Sequence, residues 1–321
     1  MREIPDAARR QGGVFSTDQA VRAGWSVDAL RHAVRVGRIQ RMRRGVYRMG
    51  DVAHLDQFTH RRWDHAAPAI AAALTVPGAL PSHSTAAVLL DLPLLSLPVL
   101  PCLSVVPWHT GEISGVHVHR TSVRQLTLVA GIECTSVGRT VLDLAREHGE
   151  YAGVVAADGA LHERRCTRAE MQEVLADCRG WPGVRAARRA FDVADGRSES
   201  VLESLSRLKI TASALQLPTL QSVIERTDGT VVGRVDFYWD AAGVVGEADG
   251  MGKYDTDPAA LRKEKQRQEK LEELGLIVVR WGWEDLTAFD RVIERLRRAH
   301  ARGQRRAGAD RRWFARHTPP L

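Results

Sequence analysis

Hydrophobic positions in the first 50 residues recur at helical spacing between small polar residues, and this pattern predicts short capped helices. Ser16-Thr17 and Ser26 are typical helix N-caps, and Gly37 is a typical helix end. The pattern predicts three helices and then a two-stranded ribbon, over Ile4–Gln11, Asp18–Ala23, Ser26–Gly37 and Ile39–Met49. This order is typical of a winged helix-turn-helix domain, which we place at residues 1–50.

Apolar runs and turns alternate after residue 50, and helical segments follow from Val137 onward. The largely apolar stretch Ala86–Trp108 contains Asp91 and four prolines, which is incompatible with a membrane-spanning helix. It predicts short buried strands and turns instead. We therefore expect residues 51–195 to form a mixed α/β middle domain of unassigned role, with no membrane contact.

The third region, residues 196–300, alternates helical and strand patterns in the order helix, three strands, helix, strand, helix. The turn Asp228-Gly229 is of the hairpin kind and joins the first two strands. The strands are predicted at Leu220–Glu225, Val231–Trp239, Val244–Asp249 and Ile277–Trp281, and the helices from Ser198, at Ala260–Leu274 and at Glu284–Ala299. The basic tail, residues 301–321, is predicted to be disordered. The expected class is a multidomain α+β protein.

Two acids in the third region carry the strongest chemical signal. Asp236 lies in the middle of an apolar strand, and Glu247 and Asp249 lie two residues apart, on one face of the next strand. A tight connection between the strands can bring Asp236 beside Glu247, where two buried carboxylates repel unless a cation lies between them. Mg²⁺, or Mn²⁺, suits such oxygen ligands and can activate water at a phosphate. We therefore predict that Asp236 and Glu247 bind a metal.

The region resembles the PD-(D/E)XK nuclease superfamily, in the branch similar to very-short-patch-repair endonucleases. The resemblance rests on Ser198–Glu203, Arg234–Phe237, Glu247–Gly250 and Leu274–Trp281. It implies an αβββαβ core and divalent-metal-dependent cleavage of DNA, with Asp236 and Glu247 in the two acidic positions. Glu203 on the first helix is the supporting carboxylate, with Glu199 as the alternative.

The motif lysine of that superfamily is absent, because Asp249 occupies the position two residues after Glu247. In the superfamily this lysine orients water or stabilises the phosphate. The residues that could replace it here are Lys253, Lys265 and Arg267. If none of them does so, the domain is inactive.

Basic charge concentrates in the N-terminal region of a chain with net charge +7 and a pI of about 9.6. The predicted DNA contacts are Arg31, Arg35 and Arg38 on the third helix and Arg41, Arg43 and Arg44 on the ribbon. Arginine suits both guanine and phosphate, so double-stranded DNA is the expected partner. The alternative interpretation is that these arginines form a solvent-exposed basic surface without a binding role.

The N-terminal segment is similar to the winged helix-turn-helix of AbiEi-type antitoxins from type IV toxin–antitoxin systems. The matching residues are Gly13–Ala20, Gly24, Leu30–Gly37 and Arg44–Tyr47. The resemblance implies promoter binding and autoregulation. A cognate toxin and a homodimer are both open as further partners.

Histidines and cysteines give weaker signals. His117 and His119 share a strand face without an evident third metal ligand, and His83 lies between two serines without a nucleophile-elbow motif. The four cysteines form no CxxC pair, which favours reduced thiols in a cytoplasmic protein.

Two functions follow from the sequence. The first is a DNA-binding, metal-dependent endonuclease in DNA repair or in defence against phage and mobile elements. The alternative is an antitoxin-like transcriptional regulator with a catalytically degenerate nuclease fold.

Overall fold

The computed structural model describes residues 6–50, 57–105, 111–121, 124–250, 258–306 and 311–317. The chain divides into two compact units, Met1–Ala160 with Arg165–Val193, and Leu161–Arg164 with Ala194–Leu321. Both units combine helices with β-sheet, so the protein is a mixed α/β multidomain protein. Within the described ranges, no helix combines the length and the apolar character needed to cross a membrane.

The first 50 residues form three short helices and a three-stranded antiparallel sheet in the order β1-β3-β2. The elements are α1 (Asp6–Arg10), β1 (Val14–Ser16), α2 (Thr17–Arg22), α3 (Val27–Arg35), β2 (Ile39–Arg43) and β3 (Val46–Met49). The predicted ribbon is β2–β3, and β1 is an additional strand that the sequence pattern did not indicate. Phe15 at the centre of β1 is fully buried, which fixes the sheet against the helices.

The predicted caps are present in this segment. Ser16 and Gln19 form a capping box at the start of α2, and the Ser26 hydroxyl accepts a hydrogen bond from the Ala29 N–H at 3.1 Å. One prediction is wrong: Arg38 does not lie on the third helix. That helix ends at Arg35, and Gly37 adopts a left-handed conformation (φ +74°), so Arg38 follows the helix end.

The rest of the first unit packs helices around a four-stranded sheet in the order β4-β5-β7-β6, with a separate β8–β9 hairpin. Strands β5 and β7 are parallel, and His119 is the register partner of Ser104. The elements are α4 (Gln57–Ala73), β4 (Leu80–Pro81), α5 (His83–Leu89), β5 (Cys102–Val105), β6 (Gly111–Ile113), β7 (Val116–Arg120), β8 (Leu126–Val129), β9 (Ile132–Thr135), α6 (Val137–His148), α7 (Glu150–His162), α8 (Arg168–Asp177) and α9 (Val184–Val193).

The segment Ala86–Leu89 is helical, which corrects the prediction of a strand there. Every residue of α5 is buried, and a helix that is buried on all sides has no polar face to show its period. The four cysteines are buried free thiols.

The second unit is built on a five-stranded sheet in the order β13-β12-β11-β10-β14. The elements are α10 (Val201–Ala212), β10 (Thr219–Arg226), β11 (Val231–Trp239), β12 (Val244–Ala248), α11 (Pro258–Glu273), β13 (Ile277–Trp281), α12 (Asp290–Arg306) and β14 (Trp313–Arg316), with 3-10 turns at Asp240–Ala242 and Glu284–Ala288. Strands β12 and β13 are parallel, and the other pairs are antiparallel. The order of elements up to α12 is the one predicted from the sequence.

Apolar clusters cover both faces of this sheet. On one face Trp239 and Trp281 pack with Leu296 of α12, and on the other Val245 packs with Leu271 of α11. The approach of α12 is close, because a Cβ at Gly303 would lie 1.8 Å from the Ala242 carbonyl oxygen. The sheet is therefore buried between two helical layers.

The prediction of a disordered tail is wrong for the part of residues 301–321 that the structure describes. Helix α12 continues to Arg306, and β14 pairs with β10, with Arg316 opposite Val223. Trp313 explains the pairing, because its Nε1 donates a hydrogen bond to the Tyr238 hydroxyl at 2.8 Å. High charge predicted disorder, whereas the aromatic anchor Trp313 and the pairing with β10 hold this edge strand.

Candidate functional site

A polar cavity of about 300 Å³ in the second unit is lined by carboxylates from three elements. Glu203 lies on α10, Asp236 on β11, and Glu247 and Asp249 at the end of β12. Glu203 and Glu247 are 8% and 4% exposed, which is unusual for glutamates and requires compensating contacts.

Strand register brings Asp236 and Glu247 together. Strands β11 and β12 are antiparallel with Phe237 opposite Gly246. The residue before Phe237 is Asp236 and the residue after Gly246 is Glu247, so these two acids are neighbours across the strand pair. The Ala248 N–H donates to Asp236 Oδ2 at 2.9 Å, which fixes this carboxylate at the strand end. The sequence prediction that the hairpin places the two acids side by side agrees with this geometry.

Glu203 is the α10 acid that faces Asp236. Its Oε2 accepts hydrogen bonds from the Glu199 N–H and from Gln221 Nε2, both at 2.9 Å, and its Oε1 accepts one from the Ser200 hydroxyl at 2.8 Å. Glu199, the alternative, instead accepts from Arg234 at 2.6 Å. The hydrogen bond between the N-cap residue Ser200 and the Glu203 side chain therefore holds this carboxylate in the cavity.

The cavity destabilises negative charge. Burial, followed by the nearby Asp236 carboxylate, raises the pKa of Glu203 and the pKa of Glu247 to about 7 each. Burial also raises the pKa of Asp236, although the Ala248 N–H and Arg267 oppose that effect. Carboxylates held together at such a cost are typical of sites that bind a cation.

Arg267 is one of the three candidates to replace the superfamily's lysine, and its side chain contacts one of these acids. Its NH1 donates to Glu247 Oε1 at 2.9 Å and to the Arg234 carbonyl at 2.8 Å, which joins α11 to both central strands. Lys265 is exposed and is not among the residues that line the cavity. Lys253 lies outside the described residues.

Asp249 occupies the superfamily's lysine position, and it accepts a hydrogen bond from Arg280 NH1 at 3.2 Å. The sequence analysis did not single out Arg280. The signal that could have found it is the parallel pairing of β12 with β13, which makes Arg280 the register partner of Glu247. Two guanidinium groups therefore contact the acids of β12.

The donor set of the cavity fits a hard divalent cation. Asp236, Glu203 and Glu247 supply carboxylate oxygens, which Mg²⁺ and Mn²⁺ prefer. Within the described part of the chain, these acids do not form a group of three whose ligand atoms all lie within 4.8 Å of one another. Hydrogen bonds from Arg267 and Gln221 hold Glu247 and Glu203, so a cation would have to share those carboxylates.

A second set of predicted residues lies on the N-terminal segment. Arg31 and Arg35 are exposed on α3, and Arg31 contacts Asp28 at 3.0 Å on the open surface, where an ion pair has little strength. Arg41 and Arg43 lie on β2, exposed and half-buried respectively. Arg44 is exposed in the β2–β3 turn and Arg38 in the bend before β2. The segment thus presents arginines from both a helix and a ribbon.

Comparison with known proteins gives a match in this N-terminal segment. Residues 2–50 match the family model described as transcriptional regulator, AbiEi antitoxin. This match supports a regulator domain of the AbiEi antitoxin type at the N-terminus.

Two Mycobacterium tuberculosis proteins, the uncharacterized proteins MT2308 and Rv2248, are each 34% identical to the chain over 165 residues. The match covers 51% of this chain and 60% of each relative. The chain therefore spans less than two thirds of the length of the relatives it matches.

Proposed function

We propose that this protein binds duplex DNA through its first 50 residues and cuts or nicks DNA with a divalent metal ion at the carboxylate cavity of the second unit. The N-terminal part of the proposal rests on the antitoxin-regulator match and on the exposed arginines. The second part rests on one observation: Glu203 and Glu247 are buried beside the half-buried Asp236, all three with raised pKa values, and Arg267 contacts Glu247.

In the proposed winged helix-turn-helix, α3 is the recognition helix and the β2–β3 ribbon is the wing. Arg31 and Arg35 then face base edges or phosphates in the major groove, while Arg41 and Arg44 contact the backbone. A guanidinium group suits both tasks, because its fork of donors matches guanine and phosphate oxygens.

In the proposed nuclease site, Asp236 and Glu247 hold the metal and Glu203 supports them. A metal ion bound there would supply a water of lowered pKa and would stabilise charge on the scissile phosphate. The chain's own groups orient the ligands: the Ala248 N–H fixes Asp236, and Arg267 fixes Glu247. Arg267 would also provide the positive charge that a lysine provides in the nuclease superfamily that this region resembles.

A nicking assay on supercoiled plasmid tests the enzymatic part. We expect conversion to the nicked form with Mg²⁺ or Mn²⁺, and its loss with chelator. Asp236→Ala, Glu247→Ala and Arg267→Ala should each reduce the rate by at least about 100-fold, as removal of a group that stabilises transition-state charge does. Glu272→Gln, on the same helix as Arg267 but outside the cavity, is the matched control and should keep full activity.

A protein that binds plasmid but never nicks it with either ion rules out the enzymatic proposal. That outcome would leave the second candidate, an antitoxin-like transcriptional regulator with a degenerate nuclease fold. Two observations favour this candidate: the match of residues 2–50, and Asp249 in place of the lysine, held by Arg280. Specific protection of its own promoter in a footprinting experiment, together with co-purification of a toxin, would support it.

A further inference from the structure

Three ligand-type side chains converge in the first unit, away from the residues used so far. They are His83 at the start of α5, His119 in β7 and Glu147 near the end of α6. Nε2 of each histidine lies 3.5 Å from Glu147 Oε2. In the part of the chain that the structure describes, this is the group whose three ligand atoms all lie within 4.8 Å of one another.

The spacing of these atoms suits a metal ion. Two ligand atoms bound at about 2.0 Å to a tetrahedral ion lie about 3.3 Å apart. The two nitrogen-to-oxygen distances, 3.5 Å each, are close to that value. The imidazole rings stack with centroids 3.8 Å apart and an interplanar angle of 15°, so a modest tilt of the rings directs both nitrogens at one ion.

His83 is oriented for such a role by its neighbours and its backbone. Its Nδ1 lies 3.0 Å from the Ser82 hydroxyl oxygen, and donation of the Nδ1 proton to that oxygen leaves the Nε2 lone pair facing Glu147. The His83 backbone has φ +48°, a left-handed conformation that costs a non-glycine residue about 1 kcal/mol or more. Strain of this kind persists where the surroundings hold a side chain in a required position.

The Nε2 atoms of both histidines face one oxygen of the Glu147 carboxylate. Nε2 of His119 is buried and forms no hydrogen bond among the described residues. With the proton of each ring on Nδ1, two nitrogen lone pairs and a carboxylate oxygen would face one another, an arrangement that a bound cation stabilises.

Two guanidinium groups next to the cluster add positive charge, and a buried acid offsets part of it. Asp143 accepts hydrogen bonds from Arg139 Nε at 2.8 Å and from Arg146 NH1 at 2.9 Å, and both guanidiniums stack on Trp181. They line a cavity of about 390 Å³ together with His83 and His119. A cationic wall of this kind favours hydroxide or an anion in the open position of a bound metal.

We propose that His83, His119 and Glu147 bind a divalent first-row transition-metal ion, with Zn²⁺ as the preferred ion. Two imidazole nitrogens and one carboxylate oxygen suit Zn²⁺, whereas Mg²⁺ prefers oxygen ligands alone. Three protein ligands leave a position open to the cavity, as in zinc sites that bind water or substrate. The ion joins α5, β7 and α6, so its binding also stabilises the first unit.

Calorimetric titration of the chelator-treated, untagged full-length protein with Zn²⁺ tests this site. An Asp236→Ala background removes a ligand of the other proposed metal site, so failure of one proposal does not affect the other. We expect about one equivalent of Zn²⁺, and a rise in Tm on its addition. His83→Ala, His119→Ala and Glu147→Gln should each weaken binding by at least about tenfold and abolish the rise in Tm.

Two further variants separate ligation from packing. Ser82→Ala removes the hydrogen-bond acceptor of His83 Nδ1 and should weaken Zn²⁺ binding about tenfold, as loss of outer-shell partners does. His117→Ala removes a neighbouring imidazole whose ring lies 4.4 Å from that of His119, and should leave the affinity unchanged. X-ray absorption at the zinc edge of the loaded protein should show imidazole ligands.

Failure of the Asp236→Ala protein to take up Zn²⁺ at micromolar concentration would overturn the assignment. So would binding that survives in all three ligand variants, or an absorption spectrum without imidazole. Circular dichroism checks that each variant is folded. Glu147→Gln changes a solvent-accessible side chain, so the test stands even if a histidine variant does not fold.

Discussion

The substitution Glu247→Gln should stabilise the protein while abolishing the proposed activity. The side chain is 4% exposed, and its pKa is raised from 4.5 to about 7 by burial and by Asp236. A difference of about 2.5 pKa units between folded and unfolded chains corresponds to about 3 kcal/mol. Glutamine keeps an oxygen that can accept the hydrogen bond from Arg267, so the variant loses the charge and little else.

The sign of the pH dependence follows from the direction of the shift. A raised folded pKa means that the folded chain binds more protons than the unfolded chain between pH 4.5 and about 7. This contribution to stability is complete below pH 4.5 and is lost as pH rises through about 7. We therefore expect Glu247→Gln to change the free energy of unfolding little at pH 4.5 and to raise it by about 3 kcal/mol at pH 8.

Urea unfolding followed by circular dichroism, in the presence of chelator, measures this difference at both pH values. Hydrogen exchange of peptides covering Val244–Ala248 assigns the change to the second unit. Glu294→Gln, on the exposed face of α12, is the matched control and should change stability by less than about 0.5 kcal/mol at either pH. Destabilisation of Glu247→Gln at pH 8, or an equal effect at both pH values, would show that Glu247 is a satisfied structural ion pair with Arg267.

Two other substitutions test the N-terminal surface and the tail. Arg35→Ala and Arg44→Ala should each weaken binding to duplex DNA and lower the slope of log affinity against log salt concentration by about one. The control Arg188→Ala, at an exposed position, should leave both the affinity and the slope unchanged. A slope that stays the same in all three variants contradicts the assignment. Trp313→Ala should lower the free energy of unfolding by about 2 kcal/mol, because a half-buried indole and its hydrogen bond are lost. Phe314→Ala should lower it by far less, because Phe314 is 60% exposed. Equal effects of the two substitutions in urea unfolding would contradict the role of Trp313 in holding β14.

Local periodicity was sufficient to predict most of the second unit. The strand Ile277–Trp281 has the predicted bounds, because its buried positions alternate and a glycine follows it. The acids of β11 and β12 were recognisable for the same reason, since a charged residue interrupts an otherwise apolar strand. The sequence could therefore predict the site residues that lie on strands, Asp236 and Glu247.

Contacts between distant segments were not predictable in this way. Strand β14 pairs with β10, about 90 residues earlier, and it lies within a tail whose overall composition is basic. The sequence offered Arg267 only as one of three candidates, because nothing local shows which turn of a charged helix faces the sheet. In the sequence, His83 and His119 were only separate weak signals and nothing indicated Glu147, because only the packing of α5, β7 and α6 brings the three together.

The two proposed metal sites differ in donor chemistry, and this difference makes them separable in one protein. The cavity at Asp236 and Glu247 offers carboxylate oxygens, which suit Mg²⁺, and burial raises the pKa of both acids, with a further contribution from Asp236 at Glu247. The cluster at His83 and His119 offers imidazole nitrogens, for which Mg²⁺ competes poorly and to which Zn²⁺ binds well. Millimolar Mg²⁺ should therefore support nicking without displacing Zn²⁺ from the histidine cluster. A chelator selective for Zn²⁺ should in turn remove the thermal stabilisation of the first unit and leave Mg²⁺-dependent nicking intact.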